Sequence, residues 1–299
     1  MAKRDGLFIG IYGPPKAGKT VCAAAAASSG VVAALPGAML SVNALLGFDF
    51  GDREKRVYDV NDSIAVVRQN AGKVPTILVD DLTIQVENLR RGLEKKNTTF
   101  GELWRMVCGS IIDLRDVSRH ATTLGTTVIV TCHEAPPKLS GGKPVKGGPG
   151  LPGQLPQDFS GMLDIVARAM FNSSAAPWKY ELQTGPIADY STGDRLNIFP
   201  SPAPMNLAEG LRAAGYDIPR PAGMEWMEGA VKACSEAILK GGLENWRETS
   251  LKLVEKLNNG TRQPKHIRWV ITDALHRSII QNNQSDTTSW LKDSDSITI

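Results

Sequence analysis

Eight consecutive residues, Gly13-Pro14-Pro15-Lys16-Ala17-Gly18-Lys19-Thr20, have the types and spacing needed to hold a polyanion. The pattern is G-x-x-x-x-G-K-T; it follows an apolar run, Leu7 to Tyr12, and precedes an alanine-rich run, Val21-Cys22-Ala23 to Ala27. A strand, a glycine-bounded turn and a helix form the context in which this pattern makes a phosphate cradle. Glycine at both ends lets backbone N–H groups point into one concavity, and the positive end of the helix dipole falls at the same spot. Such a cradle takes a nucleoside triphosphate. Its wall is Gly13 to Val21, Lys19 reaches the β- and γ-phosphates, and the Thr20 hydroxyl ligates Mg²⁺.

A second group of polar residues closes apolar strands downstream. Val74-Pro75-Thr76-Ile77-Leu78-Val79 runs into Asp80-Asp81. A carboxylate there can hold Mg²⁺ through water, which gives Asp80 the Walker-B role. Asp81 has two readings: the base that orients the attacking water, or the N-cap of the helix that follows. Thr126 to His133 is the next buried run. Ligands of open α/β sheets bind at the carboxyl ends of strands, so Thr131 and His133 are placed to sense the γ-phosphate, with a structural histidine as the other reading. His120, His266 and His276 lack ligand spacing. No glycine-bounded nucleophilic serine is present, which removes a hydrolase triad.

The elements that must position these residues are legible as hydrophobic pattern. Continuous apolar runs at Leu7–Tyr12, Ile77–Val79 and Thr126–Thr131 suit strands buried on both faces of a parallel sheet. Val31 to Pro36 is a further short strand, and Ser41 to Val60 is polar enough to be a surface excursion. Thr83 to about Lys96 and about Phe100 to Thr122 are helical, the second carrying Leu103, Met106, Val107, Ile111, Leu114 and Val117 on one stripe, with Trp104 and Met106 expected in the core. From Pro136 to Pro156 the glycines and prolines speak against regular structure. Met162–Met170 and Trp178–Gln183 then read as a sheet-edge hairpin with Asn172-Ser173-Ser174 in its turn. These elements predict a doubly wound α/β core over residues 1–205 and a helical C-terminal domain over 206–299 with a polar tail.

The totals exclude little and suggest an ordinary globular chain: 299 residues, 42% hydrophobic, 22% charged, net charge +3. That charge does not by itself argue for nucleic acid. Four separated cysteines, Cys22, Cys108, Cys132 and Cys234, make neither a zinc pattern nor a disulfide framework, and no run of eighteen apolar residues occurs. A cytoplasmic protein with no membrane association is expected. In the Gly/Pro-rich stretch, Lys138, Lys143 and Lys146 are separated by residues that cannot form a helix face, which suits sequence-independent contact with DNA phosphates; a disordered surface loop is the other reading.

The phosphate loop, Ile77–Asp81, the strand Val128–Glu134, the loop ending Gly148-Pro149-Gly150-Leu151-Pro152-Gly153, the Asp164 strand and Gly193-Asp194-Arg195 together resemble the phage-encoded AAA/RecA-like ATPases. That group includes RecA-, RadA- and KaiC-type cores acting in single-strand annealing and recombination, and the resemblance covers roughly residues 6 to 206. It implies a RecA-like P-loop core with a mostly parallel sheet flanked by helices. It also implies Mg²⁺-dependent ATP hydrolysis between subunits of a homo-oligomer, single-stranded DNA as partner, and a phage-infected bacterial cell as the setting. One departure stands out: no acid follows the second strand at Leu35-Pro36-Gly37-Ala38, so Asp81, Asp49, Asp52 or Glu54 substitutes, or hydrolysis is slow. Arg195 and Arg168 are candidates for a basic side chain supplied in trans, with local ion pairs as the alternative. A second function class stays open, a nucleotide-switched assembly or chaperone-like ATPase that binds a protein partner and not DNA, through its C-terminal helices.

Overall fold

Phe8–Gly13, six buried residues in succession, form β1 near the middle of a twisted sheet. The computed structural model describes residues 5–46, 50–96, 98–153, 155–171 and 180–219, with scattered residues between 229 and 252. After β1 come α1 (Lys19–Ala26), β2 (Val31–Ala34), α2 (Leu40–Leu46), a 3-10 turn at Gly51–Arg53 and β3 (Glu54–Arg56). Next are α3 (Val60–Asn70), β4 (Thr76–Asp80), α4 (Leu82–Glu94), α5 (Phe100–Thr123) and β5 (Thr127–Ala135). Three short strands follow, β6 (Lys138–Ser140), β7 (Lys143–Val145) and β8 (Gly148–Pro149), and then α6 (Leu155–Met162). β9 (Ile165–Phe171), β10 (Tyr180–Gln183), β11 (Gly193–Asp194), β12 (Ala203–Pro204) and α7 (Leu207–Ala213) complete the described elements.

The strand order is β12-β10-β9-β1-β5-β4-β2-β3, with β11 also on β9 and β8 on β5. Every neighbouring pair from β9 to β3 is parallel, and the pairs made by β8, β10, β11 and β12 are antiparallel. Alternation along the central strands divides the core in two. Ile9, Ile11, Leu78, Ile129 and Ile165 face one layer with α1 and α7, whereas Phe8, Tyr12, Ile77, Val79, Val128 and Val130 face the other with α3, α4 and α5. Burial on both faces is why these strands read as unbroken apolar runs. The result is the α/β class expected of a RecA-like P-loop core, a mostly parallel sheet between helical layers.

α6 shows how one layer is sealed. Phe159 is fully buried, and its ring meets Phe8 edge to face with centroids 5.9 Å apart. Phe159→Ala is expected to destabilise the fold by about 3 kcal/mol, the usual cost of emptying a buried aromatic site. A shift of the urea midpoint with an unchanged slope would confirm it, and an unshifted midpoint would count against α6 as a closing element.

Several expectations need correction. The stretch Ser41–Val60 is not a plain excursion: it carries α2 and β3, the latter pairing in parallel with β2 through Val32↔Glu54 and Ala34↔Arg56. The Pro136–Pro156 stretch does build regular structure. β6 and β7 pair through Lys138↔Val145 and Ser140↔Lys143 around Gly141-Gly142, whose φ values of 57° and 76° are those of a primed hairpin turn. Met106 is solvent-facing and Trp104 only partly buried. The proposed boundary at 205 precedes α7, yet Leu207, Ala208, Leu211 and Ile218 share the core layer of α1, so that layer extends at least to Ile218. The turn at Asn172–Ser174 and most of the helices expected beyond 224 lie outside the described residues; those described at 229, 230 and 232–237 are helical. Among the described residues no helix is long and apolar enough to cross a membrane.

Candidate functional site

The strand order decides which side chains meet. β5 lies between β1 and β4, so Gly13 pairs with His133 while Val79 pairs with Val130, which sets Asp80 beside Thr131. The Thr20 hydroxyl, at the start of α1, donates to Asp80 Oδ1 at 2.9 Å, and the Thr131 hydroxyl donates to the same oxygen. Asp80 Oδ2 takes no hydrogen bond from the described residues. The predicted Mg²⁺ pair, Thr20 and Asp80, is therefore in direct contact. Hydroxyl and carboxylate oxygens are the hard ligands that this ion takes, usually one or two from protein with waters and phosphates completing the shell. The residues present fit the ion.

The cradle has the expected shape and one unexpected economy of donors. Gly18 adopts φ 80°, which a side chain would strain, and starts α1 with no side-chain cap. The first-turn amides of Lys19, Thr20 and Val21 therefore face the loop without an intrahelical acceptor. Pro14 and Pro15 contribute no N–H, so the donors come from the second half of the loop. Val21 adds its amide while its side chain packs against the first core layer, and Ala17 is buried with its own N–H turned to Pro14 O. Lys16 stands exposed at φ 64°. Lys19 is only 7% exposed, and its Nζ donates to Gly13 O at 3.0 Å and Pro14 O at 2.9 Å, holding the ammonium at the mouth of the loop.

Asp81 takes the cap role weighed for it, and its second oxygen meets a histidine. One oxygen accepts the Thr83 N–H at 2.8 Å as the N-cap of α4, and the other lies 3.2 Å from His133 Nε2. His133 is in turn fixed by its backbone N–H, which donates to the Thr83 hydroxyl. Burial shapes the charges here. It pushes the Asp80 carboxyl up to about 6 against the pull of the Thr131 and Thr20 hydroxyls, and it raises Asp81 against the pull of His133 and the Thr83 amide. It also lowers the Lys19 ammonium below the usual lysine range, with Asp81 and Asp80 opposing. A phosphate chain with a cation, entering between Lys19 and the two carboxylates, would relieve all three desolvation costs.

Other expected residues lie elsewhere. β11 pairs with the first residues of β9, which places Arg195 level with Phe8 and away from Gly13 by the length of β1, about 16 Å at the usual strand rise. Arg195 Nη2 donates to Gly161 O, so its own phosphate loop is out of reach. Arg168 takes the local alternative: it pairs with Glu134 at 2.6 Å and lies over the Tyr190 ring at 3.6 Å. Asp52 and Glu54 precede or begin β3, at the end of the sheet away from the loop, where Arg53 binds Ser28 O and Gly30 O. Asp49 lies outside the described residues. Lys138 and Lys143 are exposed on the β6–β7 hairpin, whereas Lys146 reaches Ile187 O and lines a cleft of about 340 Å³ with Asp164, Tyr190 and Arg195.

Two contributors escaped sequence reasoning. Glu134 gathers Arg168 and the Tyr190 hydroxyl, the latter at 3.1 Å, immediately after His133. An acid closing an apolar strand was the available signal, the same that singled out Asp80. Gln85, fully buried on α4, donates to the main-chain oxygen of Asp80, and nothing in its spacing marks it.

No family model and no curated protein matches this chain. Among solved structures, a KaiC-like protein of Pyrococcus horikoshii is 16% identical over 60% of this chain and 78% of its own, with a TM-score of 0.38. The flagellar accessory protein FlaH of Methanocaldococcus jannaschii is 14% identical over 64% of this chain and 82% of its own, with a TM-score of 0.39. Both likenesses are partial, and the chemistry of the site is carried by its own residues.

Proposed function

We propose that this chain binds a nucleoside triphosphate, ATP in the first instance, with Mg²⁺ and hydrolyses it. The carrying observation is the meeting of Thr20, Asp80 and Thr131 on one carboxylate oxygen beside the uncapped start of α1. When bound, Mg²⁺ would supply positive charge against the negative charge that develops on the phosphates during hydrolysis. Lys19 and the first-turn amides hold the phosphates, Thr20 and Asp80 hold the cation, and Asp81 orients the attacking water. Phosphate release measured for each of four nucleoside triphosphates, with and without Mg²⁺, tests this reading. Absence of Mg²⁺-dependent turnover with all of them would overturn it.

The partner we propose is single-stranded DNA, met by a homo-oligomer in which Arg195 approaches the nucleotide of a neighbouring subunit. In support, Lys138 and Lys143 project on one face of a hairpin that rises from β5, the strand that also carries Thr131 and His133. Contact at the hairpin and events at the phosphates thus share one strand. Replacing Lys138, Lys143 and Lys146 together by Ala is expected to lower the salt slope of single-stranded DNA binding by about 2, from the loss of three phosphate contacts. Fluorescence anisotropy at several salt concentrations reads this directly. Unchanged DNA binding would remove the hairpin from the interface, and no binding by the wild type would favour the protein-partner class. Sedimentation of a fully active monomer would remove the role of Arg195.

A further inference from the structure

Within the apolar layer formed by Val60, Ile64, Val67, Ile77, Val79, Leu82 and Val86 lies a short polar chain. The Ser63 hydroxyl on α3 donates to Gln85 Oε1 at 2.6 Å, and Gln85 Nε2 on α4 donates to the main-chain oxygen of Asp80 at 3.2 Å. Ser63 and Gln85 are both 0% exposed. A hydroxyl and an amide are costly to bury, and an aliphatic pair of the same volume would seal this layer without that cost. What an aliphatic pair cannot do is hold a carbonyl in a fixed direction. Gln85 does so for Asp80 with its side chain, and its backbone N–H, in the ordinary helical bond that opens α4, donates to Asp81 O at 3.1 Å. The side chain therefore grips a carbonyl at the point where the chain leaves β4 and both carboxylates are aimed. The Asp80 carbonyl can only accept and so takes the amide nitrogen, and Ser63 holds the other end of the amide in place by donating to its oxygen. The serine is itself anchored, lying in the first turn of α3 behind the reciprocal cap made by Asp59 and Asp62.

We propose that Gln85, held in place by Ser63, is a positioning residue for the magnesium-holding Asp80, acting through its main chain. The proposal rests on the nucleotide-hydrolysis reading above. Gln85→Met keeps the volume and removes both side-chain bonds, and Ser63→Ala removes only the supporting donor. The test measures turnover against Mg²⁺ concentration, alongside binding of a fluorescent ATP analogue in EDTA, for the wild type, each variant and the double variant. Gln85→Met is expected to raise the half-saturating Mg²⁺ about tenfold, the lower end of what loss of an outer-shell partner does to metal affinity. Ser63→Ala is expected to raise it about threefold, and the double variant to match Gln85→Met, because both act through one chain. Metal-free analogue binding should stay within twofold, which a general loss of packing would not allow. Wild-type Mg²⁺ dependence in both single variants would overturn this proposal alone, as would parallel loss of metal-free binding. A wild type that needs no Mg²⁺ would overturn the hydrolysis reading and this proposal with it. If Gln85→Met does not fold, the Ser63→Ala result decides.

Discussion

Lys19→Ala is expected to reduce nucleotide turnover by about 10³-fold, at the upper end of what losing one preorganised charge contact costs an electrostatic transition state. It is expected to leave thermal stability nearly unchanged. The second half follows from where the ammonium sits. It is buried, among the described residues it donates only to the neutral carbonyls of Gly13 and Pro14, and burial lowers its affinity for the proton. Removing it forgoes two hydrogen bonds but also removes the cost of a desolvated charge, and these effects oppose each other. A charge kept under such conditions serves a ligand. Steady-state phosphate release and a melting curve on the same preparation check both halves. Turnover within tenfold of wild type, or a large fall in melting temperature with turnover lost only in proportion to unfolding, would remove Lys19 from the chemistry.

The parts of the site carried by contiguous residues were legible beforehand, and the parts made by strand order were not. Gly13 to Thr20 announces itself because spacing within one turn fixes its geometry, and Asp80 does so because an acid ends an apolar run. That Thr131 would share an oxygen of Asp80 depends on β5 lying between β1 and β4, which no local pattern encodes. That Arg195 lies away from its own phosphate loop depends on strand order too, because β11 returns antiparallel along β9. β3 is three charged residues, Glu54-Lys55-Arg56, and an exposed edge strand of that kind carries no hydrophobic signal. α3 buries only Val60, Ser63, Ile64 and Val67, and the serine interrupts an already narrow stripe. The glycine pair at 141–142 suggested looseness, yet a two-residue primed turn requires it.

The missing acid after β2 leaves the water-orienting group to be found, and geometry narrows the four candidates. Asp52 and Glu54 lie at the far end of the sheet, so among the described residues Asp81 is the one of the four at the phosphate loop. Its cap and its proposed role as base separate by substitution. Asn caps a helix as well as Asp does, so Asp81→Asn should keep the bond to the Thr83 amide and hold stability within about 0.5 kcal/mol. It removes the negative charge that faces His133 Nε2 and the basic oxygen that a water would need. Turnover is expected to fall by about 10³-fold, within the range for a lost general base. His133 stands 41% exposed on the other side of the pair and orients the carboxylate without replacing it, so His133→Ala should cost only about tenfold, as for an outer-shell partner. Comparing the two variants under single-turnover conditions decides between the roles. If Asp81→Asn turns over like the wild type, its carboxylate is a cap alone. If His133→Ala loses more than Asp81→Asn, the histidine is the base and the aspartate its support.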